Sequence, residues 1–215
     1  MAYIGDGVKM AGPLIVLTIG HSTHAYGRFL SLLREADVTA IADVRTSPFS
    51  RHFPQFNRDT LKENLNRDGI SYVFLGRELG GRPKKPEYFS DGIADYEKMV
   101  TSEEFANGLK RVIEGAKKYH IALMCSEQNP VDCHRCLLVG RELARCGIVV
   151  KHILSDGRIA PHSEIEERLL EMSGHNVDDL FAQRDERLAV AYRDRGRKVA
   201  FAEPRPDPKG SLAAE

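Results

Sequence analysis

Leu14-Ile-Val-Leu-Thr-Ile19, followed by Gly20-His21-Ser22-Thr23-His24, sets the pattern by which the whole chain reads. A continuous β-rich apolar run predicts a strand buried on both faces. Gly20 ends it, and the polar residues after it offer N-cap candidates for a helix whose Phe29, Leu30, Leu32, Leu33 and Ala36 follow helical spacing. The unit strand, polar turn, helix then repeats. Val38 to Val44 reads as a second strand, Thr60 with Glu63 as a capping box before a helix bearing Leu61 and Leu65, and Ile70 to Leu75 as a third strand. Gly76 to Asp91 is a Gly/Pro-rich basic loop, and Ile93 to Val100 a short helix. Thr101 with Glu104 opens a longer amphipathic helix carrying Phe105, Leu109, Val112, Ile113 and Ala116.

His120 to Cys125 is the fourth strand. Asn129-Pro130 then fits an N-cap with proline at the first helical position, for a helix running to Cys146 and stopped by Gly147. Ile148 to Leu154 is the fifth strand, closed by Ser155-Asp156-Gly157. Ser163 to Met172 and Asp178 to Arg193 complete the helices. Near-continuous apolar strands alternating with helices predict one α/β domain with a mostly parallel sheet of about five strands and helices on both faces, of unspecified strand order. Its span is 14–200, with 1–13 a loose lead-in and 201–215 a flexible tail. Ligands of such sheets sit outside the carboxyl ends of the strands. The polar residues that follow each run, Gly20-His21-Ser22, Asp43-Arg45, Arg77 to Arg82, Cys125-Glu127 and Asp156, are therefore expected to converge.

The totals narrow the classes of function. Thirty-one basic residues balance thirty-one acidic ones in 215 residues, so no global field draws nucleic acid or anionic membrane. No apolar run approaches a membrane span and no basic-then-apolar leader opens the chain, so the expected location is cytoplasmic. The four cysteines, Cys125, Cys133, Cys136 and Cys146, crowd into one region of a mid-sized chain, which predicts free thiols or ligands rather than a disulfide framework.

The chemistry concentrates in Met124-Cys-Ser-Glu-Gln-Asn-Pro-Val-Asp-Cys-His-Arg135. Cys125 ends a strand close to a helix start, where a thiol pKa falls; equally, it is a buried core cysteine. Cys133 lies in or near the first helical turn, and Cys133, Cys136, Leu137, Gly140 and Ala144 share a helical face that reads as packing for Cys136. Cys133-His-Arg-Cys136 has the form of a dithiol motif, and thiolates with His134 also suit zinc. The spacing is not that of a standard zinc module, and no metal or cofactor is expected. Glu127, His134 and His21 are candidate proton carriers, and Arg135, Arg45 and Arg82, with Asp43 and Ser22, candidate anion holders. His134 and Arg135 also read as a solvated helix face, and His21 as a satisfied loop histidine. Arg45, Arg51 and His52 interleave with Phe49, Phe53 and Phe56, a pattern that either pins a loop to the core or holds a base and its phosphates.

These pieces together resemble the bacterial and archaeal family called domain of unknown function 488. The resemblance rests on Thr18 to Ser22, Asp43-Val-Arg45 with Pro48 and Phe56, Leu79-Gly-Gly-Arg82, Tyr96 with Met99, Cys125-x-Glu127-x-x-Pro130-x-x-Cys133-His-Arg135, and His152-Ile with Asp156-Gly157. It implies that His21, Asp43, Arg45, Arg82, Cys125, Glu127, Cys133, His134 and Arg135 belong to one site, and it implies no reaction. Cys136 falls outside the shared motif. The leading expectation is an enzyme, hydrolase- or transferase-like, with Cys125 as nucleophile acting on a small anionic or nucleotide-like ligand. The alternatives are a non-catalytic module binding a nucleotide or, through the Phe/Arg loop, nucleic acid, and a metal or dithiol redox site. Membrane partners are not expected.

Overall fold

In the computed structural model of the chain, residues 12–174 and 183–203 are described. In chain order they form β1 (Ile15–Gly20), α1 (Tyr26–Glu35), β2 (Ala40–Asp43), α2 (Arg58–Arg67), β3 (Ser71–Phe74), β4 (Phe89–Ser90), β5 (Ile93–Ala94), α3 (Tyr96–Met99), α4 (Glu103–Ala116) and β6 (Ile121–Cys125). A π-helical segment, Arg135–Gly140, then leads directly into α5 (Arg141–Arg145), followed by β7 (Val149–Ile153), β8 (Ile159–Pro161), α6 (His162–Ser173) and α7 (Arg184–Val199).

The main sheet has six strands in the order β3-β2-β6-β1-β7-β8, parallel except for β8. Alternation along the strands sends side chains to two faces. Leu17, Ile19, Ile41, Ala122 and Met124 pack with Phe29, Leu33, Leu61 and Leu65 of α1 and α2. Val16, Ala42, Val44, Leu123 and Cys125 pack on the other face with Phe105 and Val112 of α4, Leu138 of the π-helical segment and Leu143 of α5. The same parity sets the site. His21 shares a face with Ile19, Asp43 with Ile41, and Cys125 with Leu123. No helix among the described residues is long and apolar enough to cross a membrane.

Several local expectations are corrected. The sixth strand, β8, escaped notice because only Ala160 of its three residues is buried; it returns along β7 after a turn in which Gly157 has φ 97°. Ile93 is strand rather than helix. Asp91 and Gly92 both have positive φ (55° and 74°), which suits a tight hairpin turn with β4, and the following helix starts later, where Asp95 accepts from the N–H groups of Glu97 and Lys98. Neither expected capping box forms. Asn57 rather than Thr60 precedes α2, and Ser102 Oγ, not Thr101, caps α4 by accepting from Phe105 N at 3.1 Å. α1 likewise starts after Ala25, with no side-chain cap from the polar residues at 21–24.

The helix expected from Asn129 is broken. Pro130–Asp132 makes one 3-10 turn, Cys133 is extended (φ −137°, ψ 136°), and the helix begins only after it. Cys133 therefore sits in the central core beside Cys125, whereas Cys136 packs with Val131, Ala160 and Ile165. Residues 201–203 pair with the hairpin. Phe201 O accepts from Ala94 N at 2.8 Å and Glu203 N donates to Gly92 O at 2.8 Å, tying 201–203 to the hairpin. The stretch 178–182 of the last expected helix, most of the lead-in and the tail from 204 lie outside the described residues.

One polar chain crosses the core beneath β1 and β7. With Glu166 ionised, Tyr192 OH donates to its Oε1 (3.2 Å), so Tyr192 must accept from His162 Nε2 (3.0 Å). His162 Nδ1 then accepts from His152 Nε2 (2.9 Å), and Thr18 Oγ1 donates to His152 Nδ1 (2.8 Å). Both imidazoles are neutral because burial pushes their pKa values down, that of His162 to about 4. The unfolded chain binds these protons more readily, so the stability they confer is complete above about pH 6.5 and is lost as pH falls toward about 4. Urea midpoints measured across that interval should fall with pH, and the fall should be shallower in His162→Gln than in the natural protein.

Candidate functional site

The carboxyl ends of β2, β6 and β1 are neighbours in the sheet, with Gly20 opposite Cys125 and Asp43 opposite Met124. The loop that leaves β6 bends over the end of β1. His21 N donates to Cys125 O at 2.8 Å and Ser22 N to Ser126 O at 3.0 Å, the latter with Ser22 at φ 49°. A Cβ at Gly20 would stand 1.9 Å from Glu127 O, so glycine is required for that approach. Arg135 fixes the loop from the other side, its Nη1 donating to Glu127 O (2.6 Å) and Nη2 to Gln128 O (2.9 Å).

Arg135 is fully buried, and among the described residues no carboxylate pairs with it; its Nε has no hydrogen-bond partner. A charge so placed needs a counter-charge. Cys133 supplies it. Burial alone would raise the Cys133 thiol, but the hydrogen bond from Cys125, the Arg135 guanidinium and His134 together bring it well below the ordinary value. Arg135 N–H also points at Cys133 Sγ (3.5 Å). Burial and the neighbouring Cys133 hold Cys125 well above the ordinary value, so of the two thiols near the helix start it is Cys133 that is drawn down. The helix end that lowers a thiol lies beside Cys133, because the helix starts after it.

Glu127 links the two sulfurs. Its Oε2 is 2.7 Å from Cys125 Sγ and 3.0 Å from Cys133 Sγ, and burial followed by the charge on Cys133 raises its carboxyl. His134 Nε2 faces the Val44 carbonyl at 2.9 Å, and a carbonyl only accepts, so Nε2 carries a proton. Nδ1 is therefore the titrating atom, 3.6 Å from Cys125 Sγ and 4.0 Å from Cys133 Sγ. Burial opposes protonation of this ring, but Cys133, Glu127 and the Val44 carbonyl outweigh it and hold its pKa above the ordinary value. Gly81 lies against the ring, where a Cβ would meet His134 Cγ at 2.7 Å.

On the opposite face of the sheet, Asp43 accepts from Arg45 Nε (2.9 Å), Arg45 Nη2 (2.6 Å) and Tyr72 OH (2.7 Å), and Arg45 Nη2 also reaches Phe56 O (2.9 Å). Arg45 Nη1 is left to face His21 Nε2 at 3.3 Å. His21 Nδ1 meets the Ser22 carbonyl at 2.9 Å and so bears the proton, the ring stacks on Phe56 at 4.2 Å, and burial with the Arg45 charge lowers its pKa to about 4.

These groups border a cavity of about 520 Å³. His21, Ser22, Arg45, Arg82, Cys125, Glu127 and His134 line it, while Cys133, Arg135 and Asp43 stand behind its wall. Thus the ten candidate site residues gather in one region, in two layers, whereas Arg77 and Asp156, also expected to converge there, do not line the cavity. Sequence reasoning missed Tyr72, which holds Asp43, and Phe201, whose ring lies 5.2 Å from the Arg82 guanidinium and also lines the cavity. Tyr96 lines it too. Phe56 belongs to the core and Phe49 is 66% exposed at the mouth, so the Phe/Arg loop is part pin and part rim. Two donor clusters have metal-like compactness: Cys125, Glu127, Cys133 and His134, and separately Cys136, His152 and His162.

A protein-family model described as domain of unknown function DUF488 matches residues 25–141, more than half of the chain. The matched range contains Asp43, Arg45, Arg82 and the whole Cys125 to Arg135 motif, whereas His21 and Ser22 precede it. No curated protein and no solved structure matches the chain.

The Asp43–Arg45 pair is buried on both sides (0% and 5% exposed), so removing one charge strands the other. Asp43→Asn should destabilise the fold by about 3–5 kcal/mol in chemical denaturation, with the loss concentrated at the end of β2.

Proposed function

We propose, from the premise that the chain belongs to the family of the domain of unknown function DUF488, that it is a thiol-dependent enzyme, hydrolase- or transferase-like, acting on a phosphate-bearing or otherwise anionic substrate such as a nucleotide or nucleic-acid component. The observation that carries this reading is that Cys125 is the sulfur that lines the cavity, with a carboxylate at 2.7 Å and an imidazole nitrogen at 3.6 Å. Nucleophilic thiols require such paired proton carriers.

In this mechanism Glu127, made more basic by burial, takes the Cys125 proton as the sulfur attacks the electrophilic carbon or phosphorus of the substrate. The bond from sulfur to that atom forms, the bond to the leaving group breaks, and the proton on His134 Nδ1 passes to the leaving group. Water or a second acceptor then displaces the sulfur, and the protons return to Cys125 and His134. Cys133 keeps its charge throughout, compensating Arg135. Arg82 at the rim contacts the anion directly, whereas Arg45, held by Asp43, offers the one edge it shares with His21. Ser22 borders the same space, and Arg135 adds positive potential from behind the wall.

A second reading, a binding module for nucleotides or single-stranded nucleic acid, is favoured by Phe49 and Phe53 beside Arg82 at the cavity mouth. It needs no reactive thiol.

Iodoacetamide treatment of a Cys146→Ser protein, with modified residues located by mass spectrometry, should alkylate Cys125 before Cys133 or Cys136, and inorganic phosphate should slow it. An unmodified Cys125 under conditions that label the exposed Cys146 of the natural protein would sink the enzyme reading. Binding of a short oligonucleotide separates the two readings further: loss on Phe49→Ala with full retention in Cys125→Ser supports the module.

A further inference from the structure

We infer that Cys125, Cys133, His134 and Glu127 also form a four-donor site for a thiophilic divalent cation, zinc above all, which caps the nucleophile and switches the pocket off. This rests on the pocket of the thiol reading and adds its regulation. The donor atoms Cys125 Sγ, Cys133 Sγ, His134 Nδ1 and Glu127 Oε2 all lie within 4.8 Å of one another. Zinc bonds of about 2.3 Å to sulfur and about 2.0–2.1 Å to nitrogen place S and N about 3.5 Å apart in a tetrahedron. The two sulfurs stand 3.6 and 4.0 Å from His134 Nδ1. The Glu127 oxygen is closer than a tetrahedral edge requires, at 2.7 and 3.0 Å from the sulfurs, and moves outward on binding. Glu127 lines the cavity, so it has room to do so.

The surroundings match what metal ligands need. His134 commits Nε2–H to the Val44 carbonyl, which turns Nδ1 inward, and Cys133 Sγ receives the Arg135 N–H. Binding one divalent cation forms two metal–sulfur bonds, one to nitrogen and one to oxygen, and any protons on the two thiols and on His134 Nδ1 leave to solvent. Arg135, which has no carboxylate paired with it among the described residues, stands behind the two sulfurs and faces their charge in the filled site.

The second cluster is the weaker site. His152 Nε2 and His162 Nδ1 are 2.9 Å apart around a shared proton that a cation would have to displace, and all three residues of that cluster are buried. The first cluster also opens to the cavity, which gives an ion an entry path.

Cobalt(II) titrated into the full chain under reducing conditions should give the intense visible bands of tetrahedral sulfur-ligated cobalt at one equivalent, displaced by zinc. Cys125→Ser and Cys133→Ser should each lose the bands, and Cys136→Ala should keep them. In the natural protein, zinc at one hundred times its Kd should slow Cys125 alkylation about 100-fold, a measurement that needs no variant. Absence of the bands, or bands that survive both serine changes and vanish in Cys136→Ala, would overturn the inference. If the metal-free protein is alkylated at Cys125 but binds no cobalt, the metal site falls and the thiol reading stands. If cobalt binds but metal-free Cys125 resists alkylation, the outcome is reversed.

Discussion

A guanidinium with no access to water and, among the described residues, no carboxylate paired with it is the constraint on which the rest of the site depends. Arg135 donates from its two terminal nitrogens to the carbonyls of Glu127 and Gln128, and by doing so holds the loop after β6 over the end of β1. That position fixes the Glu127 side chain between two sulfurs. The charge faces the cysteine sulfurs, so the same residue that shapes the loop also favours a thiolate at Cys133, together with the Cys125 hydrogen bond. Replacing Arg135 with a neutral residue of similar shape would remove a frame and an electrostatic bias together, which is why the two effects belong to one design.

The pocket also joins two faces of one sheet. Asp43, Arg45 and His21 come from the face packed on α1 and α2, and Cys125 with Cys133 and His134 from the face packed on α4 and α5. A ligand at the strand ends meets both sets because the strands stop there. The salt-bridged Asp43–Arg45 pair and the thiol cluster are thereby two supports of one opening, with Arg82 and Phe201 stacked at its rim.

Much of this was legible from the chain, for physical reasons that differ by element. The apolar runs at Leu14 to Ile19 and Ile121 to Cys125 are buried on both faces and so announce themselves as parallel strands. The convergence of His21, Asp43, Arg45, Arg82 and Glu127 follows from the rule that such sheets bind at their carboxyl ends. What stayed hidden was set by tertiary contacts. Cys133 reads as helical because Pro130 is a good first helical residue, yet the chain extends at Cys133 to bring its sulfur to Cys125. Glu127 was seen as a proton carrier and not as a bridge, since a Cys-x-Glu spacing does not reveal that one oxygen meets two sulfurs. β8 was too short to pattern, and the Asp91-Gly92 turn, a visible hairpin signal, was obscured by the basic loop before it. Phe201 could be found only once the hairpin it pairs with was known.

The π-helical segment from Arg135 to Gly140 lies between the first donor cluster and α5, with Cys133 two residues before it beside Cys125 and Cys136 inside it beside His152. A π turn is an α turn with one residue added, and an α-helix turns about 100° per residue. Deleting one residue from 137 to 140 would restore a regular helix and rotate α5 by that angle relative to Cys133 and Cys136. The packing behind the site is therefore held by a residue count as much as by residue identity, and a one-residue change in length there would do what no side-chain substitution does, namely turn Leu143 out of the core while leaving every donor residue in the chain.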